Sequence, residues 1–227
     1  MMTTWDRTSR LLSLPFRSPG ILVLSLVYAG ALYAAILRAG LLEVTNPYWV
    51  VTAGTLLLLS PIYHALVLPA IAAALRNERS DWRALLAGWH GAFPRLLVGE
   101  IAVGAAVGVG ALLLVIPGIY IGMRLIYYKQ AIVIGRSAMA ASFRDSLLWT
   151  GDWRSIGGLF VGLALLYAGV LGGDILLVSY APSAAVHVGS VVGSALLIAW
   201  MNVLVTTSYL RSRRDEDSLS SSLPPTD

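Results

Sequence analysis

The sequence predicts an all-α integral membrane protein with six transmembrane helices and two interfacial amphipathic helices on the cytoplasmic side. Three observations predict it. Of 227 residues, 57% are apolar and only 12% charged, whereas a soluble domain carries about a quarter charged residues; with a mean hydropathy of +0.76, most of the chain is solvated by lipid. The apolar residues are gathered into runs close to the ~20 residues that cross a hydrocarbon core. Arginines, finally, recur at alternate connections between those runs, as the retention of basic residues in cytoplasmic loops requires.

Residues 1–19 form a cytoplasmic N-terminal segment containing Arg7, Arg10 and Arg17. Residues 20–37 are an uncharged run of 18 residues and make the first span. A basic leader before an apolar run is also the pattern of a signal peptide, but this run is long for one and further spans follow. Residues 48–75 make the second span, with Pro61 and Pro69 as kinks. The chain then turns polar and basic, yet Trp82, Leu85, Leu86, Trp89 and Phe93 recur at helical spacing behind Ser80, a good N-cap. This predicts a first interfacial helix over about residues 81–93.

The third span, residues 96–116, is interrupted only by Glu100 and ends at the turn signal Pro117-Gly118. The fourth, residues 119–135, contains Arg124 and Lys129. Over about residues 137–149 a second interfacial helix is expected, with Met139, Ala140, Phe143 and Leu147 as its apolar face and Ser142, Arg144, Asp145 and Ser146 facing away. Residues 156–179 and 183–210 are the last two spans, joined at Ala181-Pro182. The tail, residues 211–227, is charged and then rich in Ser and Pro, a composition that predicts disorder.

Charge tests the span count. With six spans the N-terminus, residues 76–95, residues 136–155 and the tail lie inside with 3, 4, 3 and 3 basic residues, and the outer loops carry only Arg38. If residues 119–134 do not cross, the count becomes 7 inside against 9 outside, which violates the rule. Both termini are therefore expected in the cytoplasm, in the plasma membrane of a prokaryote. A weak internal repeat accompanies the pattern. Pro61-Ile62-Tyr63 precedes a helix, a basic segment with Leu85-Leu86-Ala87-Gly88-Trp89 and a span; Pro117-Gly118-Ile119-Tyr120 precedes the same order with Leu147-Leu148-Trp149-Thr150-Gly151. Both surface helices fall on one side, so the repeat is parallel.

Two segments also carry a resemblance. Ile116-Pro117-Gly118-Ile119-Tyr120 is followed, after a short span, by Ala141-Ser142-Phe143-Arg144-Asp145-Ser146-Leu147-Leu148-Trp149 and Gly151-Asp152-Trp153-Arg154. This order resembles the multi-pass proteins related to the membrane domain of glycerophosphoryl diester phosphodiesterase, over Leu112 to about Phe160. The chain departs from that group at Gly135-Arg136, where an acidic residue is frequent. The resemblance implies a six-span helical fold and no phosphodiesterase activity, because the catalytic domain of those enzymes is separate.

Ionisable groups within a bilayer are costly and are candidates for function by default. Glu100 and Lys129 share a predicted depth near the cytoplasmic side, and Arg124 and Asp174 share one near the outer side. The two pairs Glu100–Lys129 and Arg124–Asp174 would tie the fourth span to the third and fifth; otherwise Arg124 and Lys129 snorkel to opposite interfaces. His64 and His187 lack the ligand company that a metal needs, His90 reads as a solvated or headgroup-facing residue, and no cofactor is expected. Gly104/Gly108, Gly158/Gly162 and Gly189/Gly193 are small-residue pairs that let helices approach, within one bundle or in a homodimer.

Trp82, Trp89, Trp149 and Trp153, interleaved with Arg79, Arg83, Arg95, Arg144 and Arg154, form an inner-face constellation suited to interfacial anchoring or to anionic headgroups and protein partners. The formal net charge of +4 is explained by these positions, so no nucleic acid partner is expected. The absence of cysteine excludes disulfides and thiolate nucleophiles, and no catalytic triad or paired-carboxylate motif occurs. The expected role is a non-catalytic scaffold or accessory protein that organises lipids or partners at the cytoplasmic face. The alternative is a small-solute or lipid transporter with a site between the two repeats near His64 and the Arg124–Asp174 pair, His64 standing with Ser60, Pro61 and Pro69 in the one convergence of polar and helix-breaking residues.

Overall fold

Proline ends the first helix. A residue before Pro is pushed out of the helical region, and Ser18 precedes Pro19, which sits at the first position of the next helix where its missing N–H costs nothing. In the computed structural model, which describes residues 4–40, 48–78, 81–113, 115–151, 157–166, 168–169 and 183–222, α1 (Thr4–Arg17) and α2 (Pro19–Gly40) accordingly meet at an 85° bend. The bend lays α1 across α9 (Ser183–Ser222), where the Trp200 Nε1–H donates to the Leu12 carbonyl at 3.0 Å and Phe16 meets the Trp200 ring edge-on.

The second span is the helix α3 (Tyr48–Leu75), which contains both Pro61 and Pro69. It stops in a Schellman motif: the Glu78 N–H reaches the Ala73 carbonyl and the Asn77 N–H the Ala74 carbonyl, with Asn77 at φ 59°. Asn tolerates this left-handed conformation better than most residues. A seam of Ile21, Tyr63, Val67, Leu68, Ile71, Ala199 and Val203 joins α2, α3 and α9. Close packing of such side chains holds helices together where lipid tails are as apolar as the helices themselves.

The expected interfacial helix at 81–93 is not a separate element. It runs into the third span as one 32-residue helix, α4 (Trp82–Leu113). Pro94 lies inside this helix and removes one backbone donor, that to the His90 carbonyl, and the helix continues past it. α5 (Val115–Arg124) folds back along α4 so closely that a Cβ on Gly110 would lie 3.0 Å from Gly118 Cα. The expected continuous fourth span is broken: α5 stops at Arg124, and α6 (Tyr128–Val133) begins after a turn over residues 125–127.

α7 (Met139–Trp149) and α8 (Gly157–Leu166) follow; most of the fifth span beyond residue 169 lies outside the described residues. The tail expected to be disordered continues α9 as helix to Ser222. Opposite charges at Arg211/Asp215 and Arg213/Asp217 stand four residues apart, a helical spacing, and extending an existing helix costs far less than starting one. The two halves of the repeat differ, since the first surface segment fuses with its span whereas α7 is a separate helix.

Among the described residues, three helical stretches, Leu57–Leu75, Gly88–Gly110 and Ala185–Asp215, are long and apolar enough to cross a membrane, and the bent pair of α1 and α2 makes four if it is one span. The described chain is all-helical and belongs to a membrane protein. Of the glycine pairs, Gly104 and Gly108 have open space around them, and Gly162 faces Leu204 at 3.9 Å. Gly135 is the tightest: a Cβ there would stand 2.6 Å from the Ala131 carbonyl oxygen and 2.7 Å from the Tyr209 hydroxyl. Gly135→Ala should therefore destabilise the fold by about 1–3 kcal/mol, the usual cost of overpacking, read as a lower denaturation midpoint in detergent; an unchanged midpoint would refute the close approach.

Candidate functional site

Ser60 and His64 stand four residues apart and so share one face of α3. That face meets Glu100 of α4 and Lys129 of α6. Lys129 Nζ lies 2.8 Å from Glu100 Oε1, and the Ser60 hydroxyl donates to the same oxygen at 2.7 Å. His64 Nδ1 is 2.8 Å from the Ser60 carbonyl, which can only accept, so Nδ1 carries the hydrogen. It stands 3.7 Å from Glu100 Oε1 and 3.4 Å from Lys129 Nζ. The side chains of Glu100 and Lys129 are 11% and 23% exposed, low enough that each charge depends on the other. Glu100 of α4 is thus neutralised and hydrogen-bonded by two other helices, α3 and α6.

An aromatic wall closes one side of this cluster. Tyr28 of α2 stacks on Tyr63 with centroids 4.3 Å apart, and Tyr63 meets His64 edge-on. The Tyr63 hydroxyl lies 2.9 Å from Ser25 Oγ and accepts from Asn202 Nδ2 at 3.4 Å. A buried Tyr needs such partners for its hydroxyl, and here they come from α2 and α9. The polar network therefore extends into the α2–α3–α9 seam.

Breaking a helix frees backbone groups, which a membrane interior cannot solvate. At the α5–α6 break the Tyr128 N–H turns to the Leu125 carbonyl at 3.2 Å, leaving the Arg124 carbonyl without its helical partner. Side chains of α7 fill the gap. The Ser146 hydroxyl donates to the Arg124 carbonyl at 2.9 Å and accepts from the Tyr127 N–H at 3.2 Å, while Thr150 Oγ1 stands 3.0 Å from the same carbonyl. In return the Arg124 Nη1–H donates to the Thr150 carbonyl at 2.6 Å, placing a cation at the C-terminal end of α7. Ser142 and Ser146 are fully buried, and Leu147 and Leu148 are exposed. The expected orientation of α7 is corrected accordingly: its serines face inward, because the broken backbone needs hydroxyls more than the packing needs Leu147.

Of the two expected pairs, Glu100 and Lys129 come together, while Asp174 lies outside the described residues and Arg124 is engaged by α7. Of the Arg/Trp constellation, the described residues Trp89 and Trp149 pack in separate clusters. Trp89 packs beside Leu96 and Tyr128 and meets Phe93 edge-on, and Trp149 meets the Tyr209 ring at 5.2 Å in another buried cluster. Arg83 and Arg144 are exposed. Arg79, Trp153, Arg154 and the side chain of Trp82 lie outside the described residues. Indole rings are the largest apolar groups on these helices, and burying them against neighbours outweighs placing them at headgroups.

Arg95 instead reaches across the fold and donates to the Ser137 carbonyl at 3.2 Å. With Arg136 and Asp81 it borders a crevice of about 410 Å³ between α3, α4 and the end of α6. A second crevice, of about 760 Å³, lies between the ends of α3 and α9 and is bordered by Arg76, Arg211, Arg213 and Arg214. Sequence reasoning on Trp-centred motifs passed over both. The signal available was that arginines from distant segments occupy the connection after α3 and the end of α9. No protein-family model matches the chain, and neither a curated protein nor a solved structure matches it.

Proposed function

We propose that the protein is a non-catalytic, six-span scaffold or accessory protein of a prokaryotic plasma membrane, with both termini cytoplasmic, that organises anionic lipids or partner proteins through its basic end. The observation that carries this reading is the gathering of Arg76, Arg95, Arg136, Arg211, Arg213 and Arg214 around two crevices where α3 gives way to α4. Basic pockets between membrane helices suit anionic headgroups, because guanidinium forks pair with phosphate oxygens. The intramembrane charges support the same role by being engaged internally: Glu100 is held by Lys129 and Ser60. Among the described residues, Ser60, His64, Glu100 and Lys129 do not line the 410 Å³ crevice. Six spans require α5 with α6, and the segment beginning at α8, to cross as well, and the distribution of arginines favours this. The relation to the glycerophosphoryl diester phosphodiesterase membrane-domain proteins is part of the proposal and rests on the Pro117-Gly118-Ile119 and α7 sequences, although Pro117-Gly118, expected as a turn, lies within the first turn of α5.

Native mass spectrometry of the protein extracted gently from its own membrane tests the role. Stoichiometric anionic lipid, or a reproducible protein partner, is expected; a bare monomer would overturn it. One observation favours transport as a second reading: the helix break at residues 125–127 adjoins Lys129 of the buried cluster, and broken helices mark transport sites. Under that reading His64→Ala abolishes uptake of a solute into vesicles, whereas a scaffold leaves solute flux independent of His64.

A further inference from the structure

The crevice between the ends of α3 and α9 combines charge, shape and an apolar floor in a way that the two elements alone do not dictate. Thr207, Leu210, Arg211 and Arg214 are spaced i, i+3, i+4 and i+7, so they share the face of α9 that looks onto α3. Arg213 flanks that face, and Arg76 closes the opposite wall at the end of α3. The Schellman motif after Leu75 turns the chain away at Asn77, which leaves Arg76 at the corner with its side chain exposed. Four arginines against the single acidic lining residue, Asp215, give a formal charge of +3. Leu75 and Leu210 supply apolar surface beneath the guanidinium groups.

We propose that this crevice is a binding site for a phosphate-bearing anion, held by Arg76 from one side and by Arg211, Arg213 and Arg214 from the other. Guanidinium groups converging from two helices present paired N–H donors that match phosphate oxygens, which one flexible lysine would not do. The volume of about 760 Å³ exceeds that of a bare phosphate and accommodates a phosphate ester with its organic group. Leu75 and Leu210 would take the apolar part of such an ester. The proposal deepens the lipid-organising reading if the ester is a phospholipid headgroup, and it stands apart from that reading if the ester is soluble.

The test uses the full chain in phosphatidylcholine nanodiscs with and without phosphatidylglycerol, together with inorganic phosphate followed by phosphorus NMR. Each arginine near an anionic surface contributes about fivefold in affinity. Retention of phosphatidylglycerol over phosphatidylcholine, read by native mass spectrometry, should therefore fall about a hundredfold in R211Q/R213Q/R214Q and about fivefold in R76Q. R17Q, at an exposed position outside the crevice, should keep the preference. Because R76Q lies on the other wall, it keeps the test open should the triple variant lose its helical circular dichroism. Broadening of the phosphate resonance by the parent but not by R211Q/R213Q/R214Q, without any lipid preference, would assign the site to a soluble phosphate ester. That outcome supports the site and removes lipid as its occupant. A lipid preference that survives R76Q and R211Q/R213Q/R214Q would overturn the site and leave the lipid-organising role standing; no preference and no broadening in the parent would overturn the site and leave the basic end without lipid.

Discussion

Replacing Lys129 with methionine is expected to destabilise the folded protein by about 3–5 kcal/mol, because it strands the Glu100 carboxylate among α3, α4 and α6 without its counter-charge. The loss is read from the unfolding midpoint in bicelles under increasing denaturing detergent. Glu100→Gln in the parent should cost a similar amount by stranding the ammonium group instead. Combining the two substitutions should recover most of the loss: methionine and glutamine carry no charge, glutamine can still accept from Ser60, and a paired deletion removes the desolvation cost of both ions. Additive losses in the double variant would show that the 2.8 Å contact is not the reason for the sensitivity. The pair is a clamp between elements far apart in sequence, so its removal should also loosen α6 from α4, visible as faster amide exchange at residues 128–133.

The second large effect is expected at Ser146. Ser146→Ala removes the donor to the Arg124 carbonyl and the acceptor for the Tyr127 N–H together. A buried backbone group left without a partner costs about 1–3 kcal/mol, and Thr150 Oγ1 can cover only the carbonyl. Ser142→Ala is the control, since that hydroxyl donates only within its own helix, to the Met139 carbonyl at 2.7 Å, and should cost less. Equal effects at Ser142 and Ser146 would mean that burial of small side chains, and not the helix break, governs α7. Ordinary side-chain hydrogen bonds between membrane helices average only about 0.6 kcal/mol. The larger expectation at Ser146 follows from the backbone groups it serves, because its loss leaves the Tyr127 N–H without that acceptor and the Arg124 carbonyl with Thr150 Oγ1 alone.

Much of the architecture was legible in the amino-acid pattern because membrane helices must be long, apolar and internally hydrogen-bonded. The run from Tyr48 to Leu75 has the same bounds as α3, and residues 137–149 nearly match α7. Where the pattern failed, a neighbour supplied what local sequence lacked. Residues 81–93 read as a separate interfacial helix, yet they run through Pro94 into one helix with the third span. Residues 211–222 read as disordered by composition, yet they extend a helix already nucleated in the membrane.

The division between the two sources of information follows from range. Hydropathy and helical spacing report what each segment does with its own backbone and its own faces, so by itself the sequence determined the class of protein, the main apolar helices and the concentration of arginine at connections. It also set Glu100 and Lys129 at one depth. The tertiary structure alone decided that the fourth apolar run is broken at residues 125–127, that Ser142 and Ser146 turn inward, that Trp89 and Trp149 pack against Tyr128 and Tyr209, and that Arg76 faces the arginines of α9. Each of those outcomes satisfies a polar group or fills a space created by a segment tens of residues away, and no local pattern encodes a partner's unmet hydrogen bond.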